Sequence, residues 1–498
     1  MSSKTQGRDM SRLLADFGHD LPTKPQPDEA RPAREFTSTP SWRGRPARGA
    51  GWVASRPAVK RYQMTSDQAG VFWPFLTASP LPPTGAPMGT DMSNGATFYV
   101  DPHGWVLNDA IPVTNPNIFV FGKPGRGKSA WVKAFLNRMF AFGYQALILG
   151  DPKDEYELMC RHFGVEPFAI GPGMPTRLNP LDPGPLATNW GQLDKEEQHR
   201  RQAIIFGRWL VLLRSLIGSQ SIGDRKVAVG PTEEQVLKAV LVELTHTTDT
   251  RELRPIVIPQ VWQQLHSPSD HLIAELRYPD RHTFLDDTRL LRDAVAQLIS
   301  GVFAGIFDAP TTVTIDWNAP IQSLSLSRLM PLGDDAVGMA LMCLNSWGTA
   351  MRHVSGRRRI NVRDEVWRQL RLGTGAVSSF DADLRLSRSH GDIEIANAHK
   401  PSDYLGAGHA GSQAQQIAKD LLHLGDIKVL FGQDAEVADD LEQLLELGPV
   451  ARDIVTGWAM GGKGRALIAV GPRLHKVALT LHADLELPLT DTNQKLQT

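Results

Sequence analysis

A chain of 498 residues is long enough for two or more domains around a large core, and its 53 basic and 54 acidic residues nearly cancel. No global field exists to hold a nucleic acid or an anionic lipid, so only local patches could do so. Cys160 and Cys343 lack the close spacing of a zinc or redox motif, no apolar run approaches the roughly 20 residues that span a bilayer, and the polar start lacks the apolar stretch of a signal peptide. The expectation is a cytoplasmic protein with reduced core cysteines and no transmembrane segment of its own, recruited to the inner face of a membrane, if at all, by partners.

Residues 1–66 are rich in Pro, Ser, Thr and Arg without a sustained period and read as a disordered tail. Within it, 36–66 contains no acid but carries Arg43, Arg45, Arg48, Arg56, Lys60 and Arg61, with Trp42 and Trp52 interleaved. That composition suits either a solvated docking segment or contact with a nucleic-acid strand by charge and stacking. Residues 67–112 hold short β runs at 70–75, 96–100 and 105–107, the last two expected as a hairpin around Asp101-Pro-His-Gly104. Residues 113–190 read as the first part of an α/β core: strand 117–121, a glycine-rich loop, helix 129–142 ending at Gly143, and strand 145–149. Strand, helix, strand at this spacing predicts a mostly parallel sheet. Residues 191–312 read as a helical insertion, with helices at 202–216, at 236–244 behind a capping box Thr232-Glu-Glu-Gln235, and at 290–302. Residues 313–498 return to the core with strands at 313–315, 323–326, 360–362, 393–396 and 427–431. The glycine-rich 457–464 followed by 465–470 is expected to form a hairpin closing the sheet.

The motif with the clearest chemistry is Gly122-Lys123-Pro124-Gly125-Arg126-Gly127-Lys128-Ser129, which follows an apolar strand and opens a helix at Ala130. Such a loop cradles phosphates with its backbone N–H groups, aided by the positive end of the helix. Lys128 is placed to reach the β- and γ-phosphates of ATP, and Ser129 to offer its hydroxyl to Mg²⁺. Two acidic groups follow the next strand. Asp151 or Glu155 would hold a water of the Mg²⁺ shell or orient the attacking water, unless they only shape a strand-to-helix turn.

Ile360-Asn-Val-Arg-Asp364-Glu365 is the candidate acidic strand end, with Asp364 toward Mg²⁺ and Glu365 toward the nucleophilic water. The usual pattern has four apolar residues before the acidic pair, and Asn361 and Arg363 interrupt it here. Alternation along a strand still lets Ile360 and Val362 share one core layer. An ordinary helix-starting Asp-Glu pair is the other reading.

Arg388-Ser-His-Gly391 leads through Asp-Ile-Glu-Ile-Ala-Asn-Ala to His399-Lys-Pro-Ser402, which resembles a segment of the HerA/FtsK superfamily of ring ATPases. Within it the chain looks most like the TraC-like (VirB-type) conjugal-transfer ATPases of type IV secretion systems. The resemblance runs from about Phe72 to Asn493 and includes Thr114-Asn-Pro-Asn-Ile118, Leu178-Asn-Pro-Leu-Asp182, Gly305-Ile-Phe-Asp308, Arg385-Leu-Ser-Arg388 and Asp491-Thr-Asn493. It implies a RecA-like P-loop core, Mg²⁺ and ATP as cofactors, hydrolysis, and assembly as a homo-oligomer, a hexamer, serving a membrane transfer channel. It also implies that Arg388 points into a neighbour's site and that His399, where the family usually has glutamine, is a γ-phosphate sensor or simply a hydrogen-bonded histidine. Lys463 or Arg465 of the glycine-rich 457–464 and the run after it could reach a neighbour's nucleotide, with a solvated loop as the favoured reading. Rival readings are a soluble DNA translocase of the same superfamily and a nucleotide-binding scaffold that hydrolyses weakly.

Overall fold

The computed structural model describes residues 81–222, 225–245, 253–301, 303–312, 316–354, 356–371, 374–406 and 412–490. The expected tail, the run at 70–75, the strand at 313–315 and the closing Asp491-Thr-Asn493 lie outside the described residues. An 11-stranded sheet organises the described chain. Its strands are β1 (Ala86–Asp91), β2 (Thr97–Val100), β3 (Ile118–Phe121), β4 (Gln145–Asp151), β5 (Phe168–Ala169), β6 (Ile321–Ser325), β7 (Arg359–Arg363), β8 (Asp392–Ala398), β9 (Ile427–Phe431), β10 (Arg465–Val470) and β11 (Arg473–Leu479). Across the sheet they lie in the order β2-β1-β11-β10-β9-β3-β8-β7-β4-β6-β5. The run from β9 to β5 is parallel, and β10, β11, β1 and β2 continue it antiparallel. One strand, β8, therefore separates the loop strand β3 from the acidic strand β7. This is a RecA-like α/β sheet.

Strand alternation explains how both faces are filled. Ile118 and Val120 of β3 join Ile360 and Val362 of β7, Ile395 of β8 and Val429 of β9 under the loop helix Lys128–Phe140, whose Trp131, Phe135, Leu136 and Met139 are buried against them. Phe119 and Phe121 point the other way, into a core with Phe380, Leu384, Tyr404 and Leu421. Asn361 and Arg363 lie on that second face and are not exposed; both are buried in an ion network with Asp383 and Glu394.

The helices between Lys195 and Ser300 do not stand apart from the core. Trp209, Leu213, Leu237 and Leu298 share one apolar cluster with Leu324 and Leu326 of the sheet edge and with helix Asp334–Met351. Two segments of the resemblance outside the loop are structural: Asn179 caps its own turn and donates to the Ile256 carbonyl, and Thr114 and Asn115 donate to Asp426.

Three expectations are corrected. Residues Trp105–Leu107 form no strand: Asp101 accepts from the Gly104 N–H at 3.0 Å and caps a short helix, Pro102–Val106, with proline in its first turn. The partner of β2 is β1, which precedes it. The cap of helix Pro231–Thr245 is Gly230, whose N–H donates to the Glu233 side chain at 2.9 Å, so Thr232 is already inside the first turn. The closing hairpin pairs β10 with β11, while 457–464 runs from a π-helical turn (Ile454–Trp458) back to the phosphate loop.

Candidate active site

The phosphate loop leaves the carboxyl end of β3 and is braced on three sides. The Gly122 N–H donates to the His399 carbonyl at 3.1 Å, the Lys123 N–H to the Gly432 carbonyl at 3.0 Å, and the Gly464 N–H to the Arg126 carbonyl at 2.9 Å. Two glycines are required by this fit. At Gly122 (φ +157°) a Cβ would lie 2.5 Å from Cβ of Phe431, and at Gly127 (φ +110°) it would meet the Gly464 nitrogen at 3.0 Å.

A cleft of about 760 Å³ opens beside this loop. Pro124, Gly125, Gly127, Lys128, Ser129 and Ala130 line it from the loop, Lys153 and Glu155 from beyond β4, Asp364 and Glu365 from the end of β7, and Asn397 and His399 from the end of β8. Four strand ends thus deliver the polar groups, as the carboxyl edge of a parallel sheet does. The far wall, Leu479, Leu481, Leu487 and Pro488 beside Lys463, was not anticipated. Gly122, Lys123 and Arg126 do not line the cleft: Lys123 pairs with Asp434 at 2.8 Å, and Arg126 donates to the Met460 carbonyl at 2.8 Å.

Lys128 is buried, and its Nζ donates to the Gly122 carbonyl at 2.5 Å and lies 3.5 Å from His399 Nδ1. Burial lowers its ammonium pKa despite the nearby Asp364. Asp364 accepts from Asn397 Nδ2 at 2.7 Å; burial, then the charges of Glu155, Glu365 and Asp151, push its carboxyl up to about 7. Glu365, at φ +53°, has both oxygens engaged. Oε1 takes Lys153 Nζ at 2.5 Å and lies 3.4 Å from His399 Nε2, while Oε2 accepts from Trp367 Nε1 at 2.7 Å. Burial works to raise the Glu365 carboxyl, but the hydrogen bonds from His399 and Lys153 outweigh it and bring it to about 2.

Asp151 faces away from this chemistry. Its oxygens accept from the Glu155 and Tyr156 N–H groups at 2.8 and 2.7 Å, so it shapes the turn that presents Glu155. Glu155 Oε2 is buried with no hydrogen-bond partner. Arg388 is not in the cleft: it is exposed at the amino-terminal end of β8 and donates to the Thr114 carbonyl at 3.1 Å. The seven residues of β8 put it roughly 20 Å from His399.

The residues fit Mg²⁺ and a nucleotide triphosphate. The orphan oxygen of Glu155 and the raised carboxyl of Asp364 both mark negative charge in excess of its partners, which a divalent cation relieves. Among the described residues no three acidic, His or Cys side chains converge as a metal cage, in keeping with an ion held largely by phosphate and water. Lys153, Asn397 and Thr490, which line the cleft, and Trp367, which holds Glu365, had no role assigned from the sequence. The position of Lys153 just past a strand end was the one available signal.

Loop, strand order and acidic strand end define a P-loop protein of the RecA-like α/β class. Its fold is similar to that of two solved proteins. VirB4 of Thermoanaerobacter pseudethanolicus matches with a TM-score of 0.62 and 19% identity, over 82% of this chain and 99% of that one. The plasmid coupling protein TrwB, solved with the non-hydrolysable ATP analogue ADPNP and with ADP and Mg²⁺, matches with a TM-score of 0.50 and 13% identity, over 74% of this chain and 85% of that one. No family model and no curated protein matches the sequence. Among the described residues no helix is long and apolar enough to cross a membrane.

Proposed function

We propose that this chain is a Mg²⁺-dependent ATPase that energises conjugative transfer or type IV secretion as a subunit of a homo-oligomer, a hexamer by resemblance. The observation that carries the reading is the convergence of Lys128, Ser129, Glu155, Asp364 and Glu365 on one cleft beside a glycine-rich loop. Lys128 exchanges the Gly122 carbonyl for the β- and γ-phosphates, and Ser129 with Asp364 would hold Mg²⁺. When bound, Mg²⁺ would supply neutralising charge on the phosphate oxygens. Glu365 accepts the proton of the attacking water, Glu155 would order the metal's water shell, and His399 is placed at the end of β8 to meet the terminal phosphate. Exposed Arg388, remote from its own cleft, is available to a neighbour's, which would make hydrolysis depend on assembly; the channel partner is then a membrane component that this chain meets from the cytoplasmic side.

Release of phosphate from ATP by the full chain, with and without Mg²⁺, tests the reading. The Glu365 carboxylate pinned by Lys153 favours one alternative, a scaffold that binds ATP and hydrolyses little. Tight ATP binding with no Mg²⁺-dependent turnover in any assembly state would select it.

A further inference from the structure

We propose that Lys153 distinguishes a nucleoside triphosphate from a diphosphate: its ammonium leaves Glu365 for the terminal phosphate and so frees that carboxylate to take the proton of water. The inference rests on reading the cleft as an ATP site. Both Glu365 oxygens are occupied by donors, which leaves the carboxylate badly placed to act on a water.

Glu365 has four polar partners, Lys153, His399, Trp367 and, at 3.8 Å, Arg368, and the last three are fixed. Trp367 is stacked with Arg368 and Arg371 at 4.5 and 4.4 Å, and the His399 carbonyl is tied to Gly122 and Gln433. Lys153 alone is free to move: its side chain is 45% exposed, lines the cleft and carries the charge on a flexible four-carbon stem. Of the other two lysines that line the cleft, Lys128 is buried on the Gly122 carbonyl, and Lys463 sits with the apolar wall and is not a partner of Glu365. A γ-phosphate carries more charge than a carboxylate and competes for a point-charge ammonium; a diphosphate offers nothing at that place. With the triphosphate bound, the water oxygen forms its bond to the γ-phosphorus, the bond to the β-phosphate oxygen breaks, and Glu365 holds the proton. With ADP bound, the Lys153–Glu365 pair closes again.

Titration calorimetry of the full chain with Mg²⁺-ADPNP and with Mg²⁺-ADP tests this. The natural sequence should prefer ADPNP, and Lys153→Gln should reduce that preference at least roughly tenfold, the worth of one charge-assisted bond, while leaving ADP affinity within about twofold. Lys153→Met, which keeps the stem, should behave alike, and a thermal melt checks that both variants fold. An unchanged ADPNP-to-ADP ratio in both overturns the proposal. Lys128→Ala separates the two readings: if neither nucleotide binds the natural chain, or Lys128→Ala binds both as well as it does, the cleft is not an ATP site and the inference falls with it. If Lys128 matters and Lys153 does not, only the exchange is wrong.

Discussion

Arg363 Nη2 donates to Asp383 Oδ2 at 2.7 Å in a place where neither side chain is more than 5% exposed. Around that pair, Arg352 reaches Asp383, Asp392 and Glu394 at 2.6 to 2.7 Å, Arg363 also reaches Glu394 at 3.2 Å, and Asn361 donates to Glu394 at 2.7 Å. The guanidinium of Arg363 also lies over the Phe380 ring at 4.9 Å. The polar residues that interrupt the acidic strand are thus paired by β8 and the helix Thr374–His390. Removing one partner leaves a buried charge uncompensated, so Glu394→Ala or Asp383→Ala should cost about 3–5 kcal/mol of stability. Urea unfolding measures it, and a loss under about 1 kcal/mol would mean the network is not held as described.

Glu365→Gln keeps the shape of the side chain but removes the base. ATP affinity should persist while turnover falls at least about a hundredfold. Glu155→Gln should instead raise the Mg²⁺ concentration needed for half-maximal turnover if, as proposed, its buried unpartnered oxygen serves the metal's water shell. Single-turnover phosphate release separates the two, and an unchanged rate in Glu365→Gln would transfer the base to Glu155.

The glycine-rich loop was legible because its residues are contiguous, and so were the expected helix 129–142, which is Lys128–Phe140, and the expected strand 427–431, which is Ile427–Phe431. Legibility failed where a short segment takes its structure from distant partners. Ala86-Pro-Met-Gly-Thr-Asp91 has no strand pattern, yet becomes β1 by pairing between β2 and β11. Asp101-Pro102 can begin a turn or a helix, and five residues are too few for a period to decide. The polar face of β7 was visible, but not that Asp383, Asp392 and Glu394 would neutralise it. The Lys153–Glu365 pair joins residues 212 positions apart and had no local signature.

Asp151 gives the turn before Glu155 a pH signature. Burial outweighs its two backbone hydrogen bonds and raises its carboxyl from 3.8 to about 6. The folded chain therefore keeps a proton that the unfolded chain releases, and the Asp151 contribution to stability falls as pH rises from about 4 to about 6, by about 3 kcal/mol at most. Asp151→Asn removes that contribution. Its stability should fall less steeply across the window than the natural chain's, measured as urea midpoints at each pH; identical slopes would contradict the assignment.

Arg388, exposed and remote from its own cleft, bears on assembly. Arg388→Ala should bind ATP yet hydrolyse it poorly, since an arginine in trans contributes a factor of roughly 10³ to 10⁵. Mixing it with Glu365→Gln should restore part of the activity, because mixed interfaces pair an intact Glu365 with an intact Arg388. Specific activity of the natural chain should rise with concentration as subunits associate. Turnover by a species that stays monomeric in sedimentation would leave Arg388 as a structural residue held by the Thr114 carbonyl.

Lys128, whose Nζ is held 2.5 Å from the Gly122 carbonyl, is the residue on which ATP hydrolysis in this cleft would depend most. Steady-state ATP hydrolysis in Mg²⁺, compared between the natural chain and a folded Lys128→Ala, is the measurement to make. The prediction is turnover in the first and its loss in the second, with the thermal melt of the fold retained. Equal turnover in both would show that ATP is hydrolysed somewhere other than this cleft.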